Sequence, residues 1–286
     1  MLSKLLKYEF KATAKMFLFM YIGLIAIAIV NMGLTSMWGN FDGFLGVLSG
    51  LMMTFYVISI IAVFVVTIIA VIIRFYKNQL GDEGYLMFTL PVSVEKHIFS
   101  KLIASIVWLI CSFIVCLLSV MIITAISAAK SGFYGQVSAM WQQAQAAGVH
   151  PGAWLLCIIV FLLISMTGGV ITFYCAMAIG PHITRNRLGG SILGYIIIYV
   201  ISQIIGAVAI FAFSSPLLMN PRMIDGPVGI ASTDLFGFFP WSGIETQTFN
   251  STMLTFFFVC VLMELAVAIP CFFVTRHFLK KKLNLA

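Results

Sequence analysis

Six long apolar stretches divide the chain into alternating hydrophobic and polar segments. A helix needs about 20 predominantly apolar residues to cross the hydrocarbon core of a bilayer. Each stretch reaches that length and is continuously apolar, which excludes the alternating pattern of a transmembrane β-barrel. The sequence therefore predicts an all-α, polytopic membrane protein with a single transmembrane domain over residues 1–286. Its six spans are predicted at about 17–38, 46–73, 102–128, 154–179, 191–213 and 253–274.

The composition excludes several classes of soluble protein. Hydrophobic residues make up 62% of the 286 residues and charged residues only 9%. A typical soluble domain has about 45–50% apolar and about 25% charged residues. Since so few charges cannot cover the surface of a soluble fold, a soluble enzyme, a nucleic-acid-binding domain and a disordered protein are all excluded. The net charge of +7 is accordingly interpreted as a signal of membrane topology rather than of nucleic-acid binding.

The basic residues collect on one side of the predicted membrane domain. With six spans, only Lys130 and Arg222 fall on the other side. Because basic residues are enriched in cytoplasmic segments, both termini are predicted to be cytoplasmic. The residues on the predicted cytoplasmic side are Lys4, Lys7, Lys11, Lys15, Arg74, Lys77, Lys96, Lys101, Arg185, Arg187, Arg276, Lys280, Lys281 and Lys282.

The amino-terminal segment, residues 1–16, has the pattern of a short amphipathic helix. Leu2, Leu5, Leu6 and Phe10 recur at helical spacing, with lysines on much of the rest. Such a helix lies in the membrane interface with its lysines toward anionic lipid. The alternative is that these residues are only a charged flank of the first span. No small-residue cleavage site follows that span, so we expect it to be retained.

The predicted outer loops differ in length and content. Residues 129–153 include a polar stretch, Gln136–Ala147, that is predicted to form a small helix. Residues 214–252 form the longest loop, and the aromatic run Phe236–Trp241 within it favours an ordered segment close to the membrane. All six cysteines fall inside predicted spans, so no structural disulfide is expected. No spacing of cysteines or histidines indicates a metal site.

The segment between spans two and three, residues 74–101, carries most of the functional signal. The acidic pair Asp82 and Glu83 suits the positive end of a helix dipole, and Pro91 ends the short helix that follows. Apolar side chains exposed at a membrane surface are unfavourable unless they meet lipid or a protein partner. This segment therefore predicts a short element that meets either lipid or a protein partner, formed by Gly81, Asp82, Glu83, Gly84, Tyr85, Leu86, Phe88 and Leu90.

The same segment, with its core Gly-Asp-Glu-Gly-Tyr-Leu-Met-Phe-Thr-Leu-Pro, resembles the permease subunits of bacterial type-2 ABC exporters, most closely those of low-GC Gram-positive bacteria. The opening Met-Leu-Ser-Lys-Leu-Leu-Lys-Tyr-Glu-Phe-Lys, the six-span layout and the basic tail are similar as well. The resemblance implies an amino-terminal elbow helix at residues 2–15 and a coupling helix at Gly81–Leu90. It also implies an extracellular re-entrant region within Phe236–Phe249.

The resemblance implies the function of such a subunit in the bacterial cytoplasmic membrane. The permease moves a substrate with the help of separate ABC ATPase subunits, and a second permease chain, identical or different, completes the complex. ATP and Mg²⁺ would be bound by the partner ATPase, since this chain has no Gly-x-x-x-x-Gly-Lys-Ser/Thr motif. No enzymatic activity and no cofactor are therefore expected in this chain, and its other contacts are membrane lipids.

Glu264 is the one acidic residue predicted inside a span. A carboxylate at this depth is expected to face the bundle interior, either as a proton- or cation-sensing site or as an interhelical polar contact. Gly168 and Gly169 in span four permit close helix packing. Two other functions stay open. One is a channel or ion-coupled transporter that needs no ATPase and uses Glu264, and the other is a membrane sensor or scaffold.

Overall fold

The computed structural model describes residues 2–37, 44–77, 94–130, 132–146, 151–184, 187–219 and 246–283. Within these ranges the regular structure is helical and no β-strand is present. The helices are α1 (Leu2–Met37), α2 (Phe44–Phe75), α3 (Val94–Lys130), α4 (Phe133–Ala146), α5 (Pro151–Ile183), α6 (Arg187–Met219) and α7 (Thr246–Leu283).

Six of these helices are long and apolar enough to cross a membrane, and α4 is the short one. The candidate spans are Leu5–Leu34, Gly46–Phe75, Glu95–Ala125, Pro151–Ile183, Gly189–Ala209 and Leu254–Lys280. Large apolar side chains such as Phe19, Ile22 and Phe211 are more than half exposed on their outer surfaces. The prediction of an all-helical chain with six helices long and apolar enough to span a membrane is confirmed, and their exposed apolar surfaces suit contact with lipid.

The spans pack in two groups of three. α1 packs on α3 and α2, whereas α5 packs on α6 and α7, and contacts of α5 with α3 and α2 join the two groups. Successive spans run in opposite directions, so the start of α1, the end of α2, the start of α3 and the end of α7 meet at one end of the bundle. We call this the basic end, because it holds Arg74, Lys101 and Arg276.

The start of the chain differs from the predicted separate interfacial helix. Residues 2–16 are the first turns of α1, which continues without a break to Met37. The linking residues, Lys11 to Phe17, include no glycine or proline to interrupt helical hydrogen bonding. A 36-residue helix is about 54 Å long, which exceeds the hydrocarbon thickness of about 30 Å, so it extends beyond the lipid core.

Two clusters of buried apolar side chains hold the bundle together. The first lies at the basic end and joins α2, α3, α5 and α7; its centre is Phe75 stacked on Tyr174, with ring centroids 3.9 Å apart. The second joins α1, α2 and α3 further along the bundle, around Phe17, Leu24 and Tyr56. The first cluster connects both groups of spans, so it fixes how the end of α2 and the start of α3 pack against α5 and α7.

A row of three serines on α3 links that helix to its neighbours. The hydroxyl of Ser105 lies 2.9 Å from that of Tyr174 on α5. Ser112 lies 2.8 Å from Tyr21 on α1, and Ser119 lies 2.9 Å from the hydroxyl of Tyr56 on α2. Because the serines are seven residues apart, or about two helical turns, they share one face of α3. This face gives α3 a polar contact with each of three surrounding helices.

The outer segments are described in part. The small helix predicted at Gln136–Ala147 is confirmed as α4, which begins three residues earlier. Most of the predicted re-entrant region, residues 236–245, lies outside the described residues. Residues 246–249 are the first turn of α7.

Candidate functional site

The predicted coupling residues lie in the range 78–93, outside the described residues. They are Gly81, Asp82, Glu83, Gly84, Tyr85, Leu86, Phe88 and Leu90. The structure does describe the two attachment points of this segment, the end of α2 and the start of α3. Both belong to the basic end and to the apolar cluster around Phe75.

A buried ion cluster joins these two attachment points to α1. One carboxylate oxygen of Glu9 lies 2.8 Å from the guanidinium of Arg74, at the end of α2. The other lies 2.9 Å from Nζ of Lys101, near the start of α3. The side chains of Glu9 and Lys101 are only 9% and 4% exposed. A single carboxylate therefore binds both ends of the helix pair that carries residues 78–93, and we call these three residues the Glu9 cluster.

Aromatic side chains shield the Glu9 cluster. Phe17 and Trp108 stack with their ring centroids 4.4 Å apart, and both line the small cavity under the three charges. Phe75 and Tyr174 line the same cavity from α2 and α5. Since these groups limit the access of water to Glu9 and Lys101, the attraction between these two charges is stronger than it is between pairs at an exposed surface.

Sequence reasoning missed the role of Glu9. The three members of the cluster were interpreted only as part of an amphipathic segment and as basic topology signals. A usable signal is present, because Glu9 is the only acidic residue before Asp42 and stands among lysines. An isolated acid on the cytoplasmic flank of a span predicts a basic partner on a neighbouring helix, although it does not identify that partner.

A second ion pair lies at the same end but is more exposed. Arg276 on α7 and Glu95 in the first turn of α3 are 2.5 Å apart, with side chains 34% and 42% exposed. Pairs with this exposure contribute about 0–1 kcal/mol. This pair connects α3 to α7, and it is a natural comparison for the buried Glu9 cluster.

The carboxyl of Glu264 lies against α5. A methyl group added at Gly168 would lie 3.2 Å from Oε2 of Glu264, so the carboxyl packs directly against that glycine. Gly169 has open space around it and does not support the predicted close packing. Glu264 is half-buried, and placing an ionised group at this depth costs roughly 2.5–3.5 kcal/mol on insertion scales.

The closest backbone approach lies where α5 ends and α6 begins. A methyl group added at Gly190 would lie 2.7 Å from the carbonyl carbon of Gly180, which is too short for a real contact. A methyl group at Gly180 would in turn lie 2.6 Å from the backbone nitrogen of Ser191. Only glycine at both positions permits this close approach of α5 and α6.

The described residues include no group of three or more histidine, cysteine, aspartate or glutamate side chains placed to hold a metal ion. All six cysteines are described, and each is a free thiol in a helix. His97 is almost fully buried beside the Glu9 cluster, whereas the ring of His182 packs at a tilt against that of Phe278, with centroids 4.7 Å apart.

Comparisons of the chain with protein-family models, with curated proteins and with solved structures give no significant match. Its assignment to a class therefore rests on its own residues. Those residues make it a multi-pass helical membrane protein with a buried ion cluster at the basic end.

Proposed function

We propose that this chain is the permease subunit of a bacterial ABC exporter. In this proposal it lies in the cytoplasmic membrane, with both termini and the basic end in the cytoplasm. Separate ATPase subunits bind residues 81–90, and a second permease chain completes the translocation path. The positive-inside rule supports the orientation, and the likeness of residues 74–101 to type-2 permeases supports the assignment.

The observation that carries the proposal is the Glu9 cluster. A docking element transmits motion only if its two attachment points are firmly connected to the spans. Arg74 and Lys101 stand at those points, and Glu9 connects both of them to α1. Displacement of residues 78–93 by an ATPase would therefore move α1, α2 and α3 together. In this arrangement the first turns of α1 take the part of the elbow helix.

The docking element can be tested by placing charge in its apolar turn. The double change Leu86→Asp and Phe88→Asp is expected to abolish co-purification with an ABC ATPase encoded in the same operon, because two carboxylates cannot enter an apolar groove without large desolvation. The measurement is affinity purification of the tagged chain co-expressed with that ATPase, followed by assay of ATP hydrolysis.

A matched control is the double change Val137→Asp/Met140→Asp, which places the same two charges on exposed apolar positions of α4. It lies at the opposite end of the bundle and should leave co-purification unchanged. If the Leu86→Asp/Phe88→Asp chain still binds the ATPase at the wild-type level, residues 81–90 are not the docking element.

Glu264 favours a second candidate function, an ion-coupled transporter that needs no ATPase. A half-buried carboxyl within a span is the type of group that couples transport to protons or cations. This function predicts substrate flux in vesicles that contain this chain alone. It also predicts that Glu264→Gln abolishes that flux, whereas the ABC function predicts no flux without the ATPase.

A further inference from the structure

An apolar groove runs along the outer surface of the bundle between α3, α5 and α7. Its lining includes Phe99, Leu163, Thr167, Leu265, Ile269 and Phe272. Several of these side chains are more than a third exposed. The groove is therefore open to the lipid, and a molecule dissolved in the bilayer can enter it without crossing water.

The carboxyl of Glu264 lies beside the groove, behind Gly168, and is not itself one of the lining side chains. Gly168 lines the groove and also contacts Oε2 of Glu264, because its missing side chain leaves room for that carboxyl. Glu264 is ten residues from Leu254, or about 15 Å along α7, which places it near mid-membrane. None of the ion pairs or hydrogen bonds between described residues involves its carboxyl.

Toward the basic end of the bundle, the wall of the groove is aromatic. Phe99 on α3 and Phe272 on α7 have ring centroids 5.4 Å apart, and both line the groove. Phe272 is eight residues beyond Glu264, so about 12 Å of α7 separates the carboxyl from the rings. The groove thus combines one negative group with a lengthy apolar and aromatic wall. A ligand that fits both parts carries a positive charge on an apolar body.

We propose that this groove binds a lipophilic cation, with the charge at Glu264 and the apolar body along α5 and α7 toward Phe99. The charge of such a ligand neutralises the carboxylate where water is scarce, and its apolar body replaces lipid. The claim that the ligand is also transported rests on the proposed export function. Binding itself does not, since it requires only this chain.

Binding can be measured with radiolabelled tetraphenylphosphonium on the purified full chain in phosphatidylcholine nanodiscs. Wild-type protein is expected to bind the probe in a form that excess unlabelled tetraphenylphosphonium displaces. Tetraphenylborate, an anion of the same shape, should not displace it. Glu264→Gln is expected to weaken binding at least about tenfold, whereas Glu95→Gln should leave binding unchanged because Glu95 lies at the basic end.

Equal binding by wild type and Glu264→Gln would overturn the proposal, as would displacement by tetraphenylborate. Either result would mean that the groove holds lipid chains or any apolar solute. Absence of displaceable binding would also overturn it, including the case in which a second copy of the chain covers the groove. Failure of the export function is separate, because it appears as lost ATPase co-purification while probe binding persists.

Discussion

Replacing Glu9 with alanine is expected to lower the free energy of unfolding by about 3–5 kcal/mol. The change removes the only carboxylate of the Glu9 cluster, which lies 2.9 Å from Nζ of Lys101, a side chain that is only 4% exposed. Arg74 loses the same partner but is 25% exposed and keeps access to water. The loss is measurable as a lower midpoint of thermal unfolding or aggregation in detergent.

Two further variants distinguish burial from the mere loss of an ion pair. Glu95→Ala removes the exposed pair with Arg276 and should reduce stability by no more than about 1 kcal/mol. The double variant Glu9→Ala/Lys101→Met removes both the Glu9 carboxylate and the buried Lys101 ammonium, so it should be more stable than Glu9→Ala alone. If Glu9→Ala and Glu95→Ala have the same effect, the Glu9 cluster is not a buried electrostatic contact.

The second large effect is expected at the junction of α5 and α6. Gly190→Ala should destabilise the protein by about 3 kcal/mol, at the upper end of the range for overpacking, because the added methyl group would overlap the backbone of Gly180. Backbone atoms cannot move aside as the end of a flexible side chain can. The expected results are a low yield of monodisperse protein and a lower unfolding midpoint in detergent.

Two other glycines of α6 supply graded controls. A methyl group at Gly194 would lie 3.2 Å from the carbonyl oxygen of Ala176, so Gly194→Ala should have an intermediate effect. Gly206 has open space, and Gly206→Ala should be neutral or stabilising by up to about 1 kcal/mol, since alanine favours the helix. An order other than Gly190, Gly194 and Gly206 would contradict the packing of α6 on α5.

The number and class of the spans could be predicted from sequence, because membrane insertion depends on the length of apolar runs. The start of α1 could not, since the amphipathic pattern of residues 1–16 is compatible with either an interfacial helix or an extension of the span. What decides between them is the contact of Glu9 with Arg74 and with Lys101, which is 92 residues away. Contacts at such separation depend on how helices pack, and no single-sequence pattern encodes that.

The candidate site, like the fold, combines features that the sequence predicts with features that depend on how the helices pack. The prediction that Glu264 faces the bundle interior rests on its chemistry alone. Its contact with Gly168 depends on the packing of α5 on α7, which the sequence does not reveal. The seven-residue spacing of Ser105, Ser112 and Ser119 was visible in the sequence and predicts a shared helix face. Their hydroxyl partners are on three different helices, and only the structure identifies them.

The Glu9 cluster also sets an order of events during synthesis. Glu9 leaves the ribosome first, and Lys101 follows 92 residues later. At a synthesis rate of about 5–20 residues per second, Lys101 is added to the chain roughly 5–18 s after Glu9. During that interval the amino-terminal hairpin of α1 and α2 has only half of its final electrostatic contact. The first three spans therefore become a stable unit only when α3 has entered the membrane.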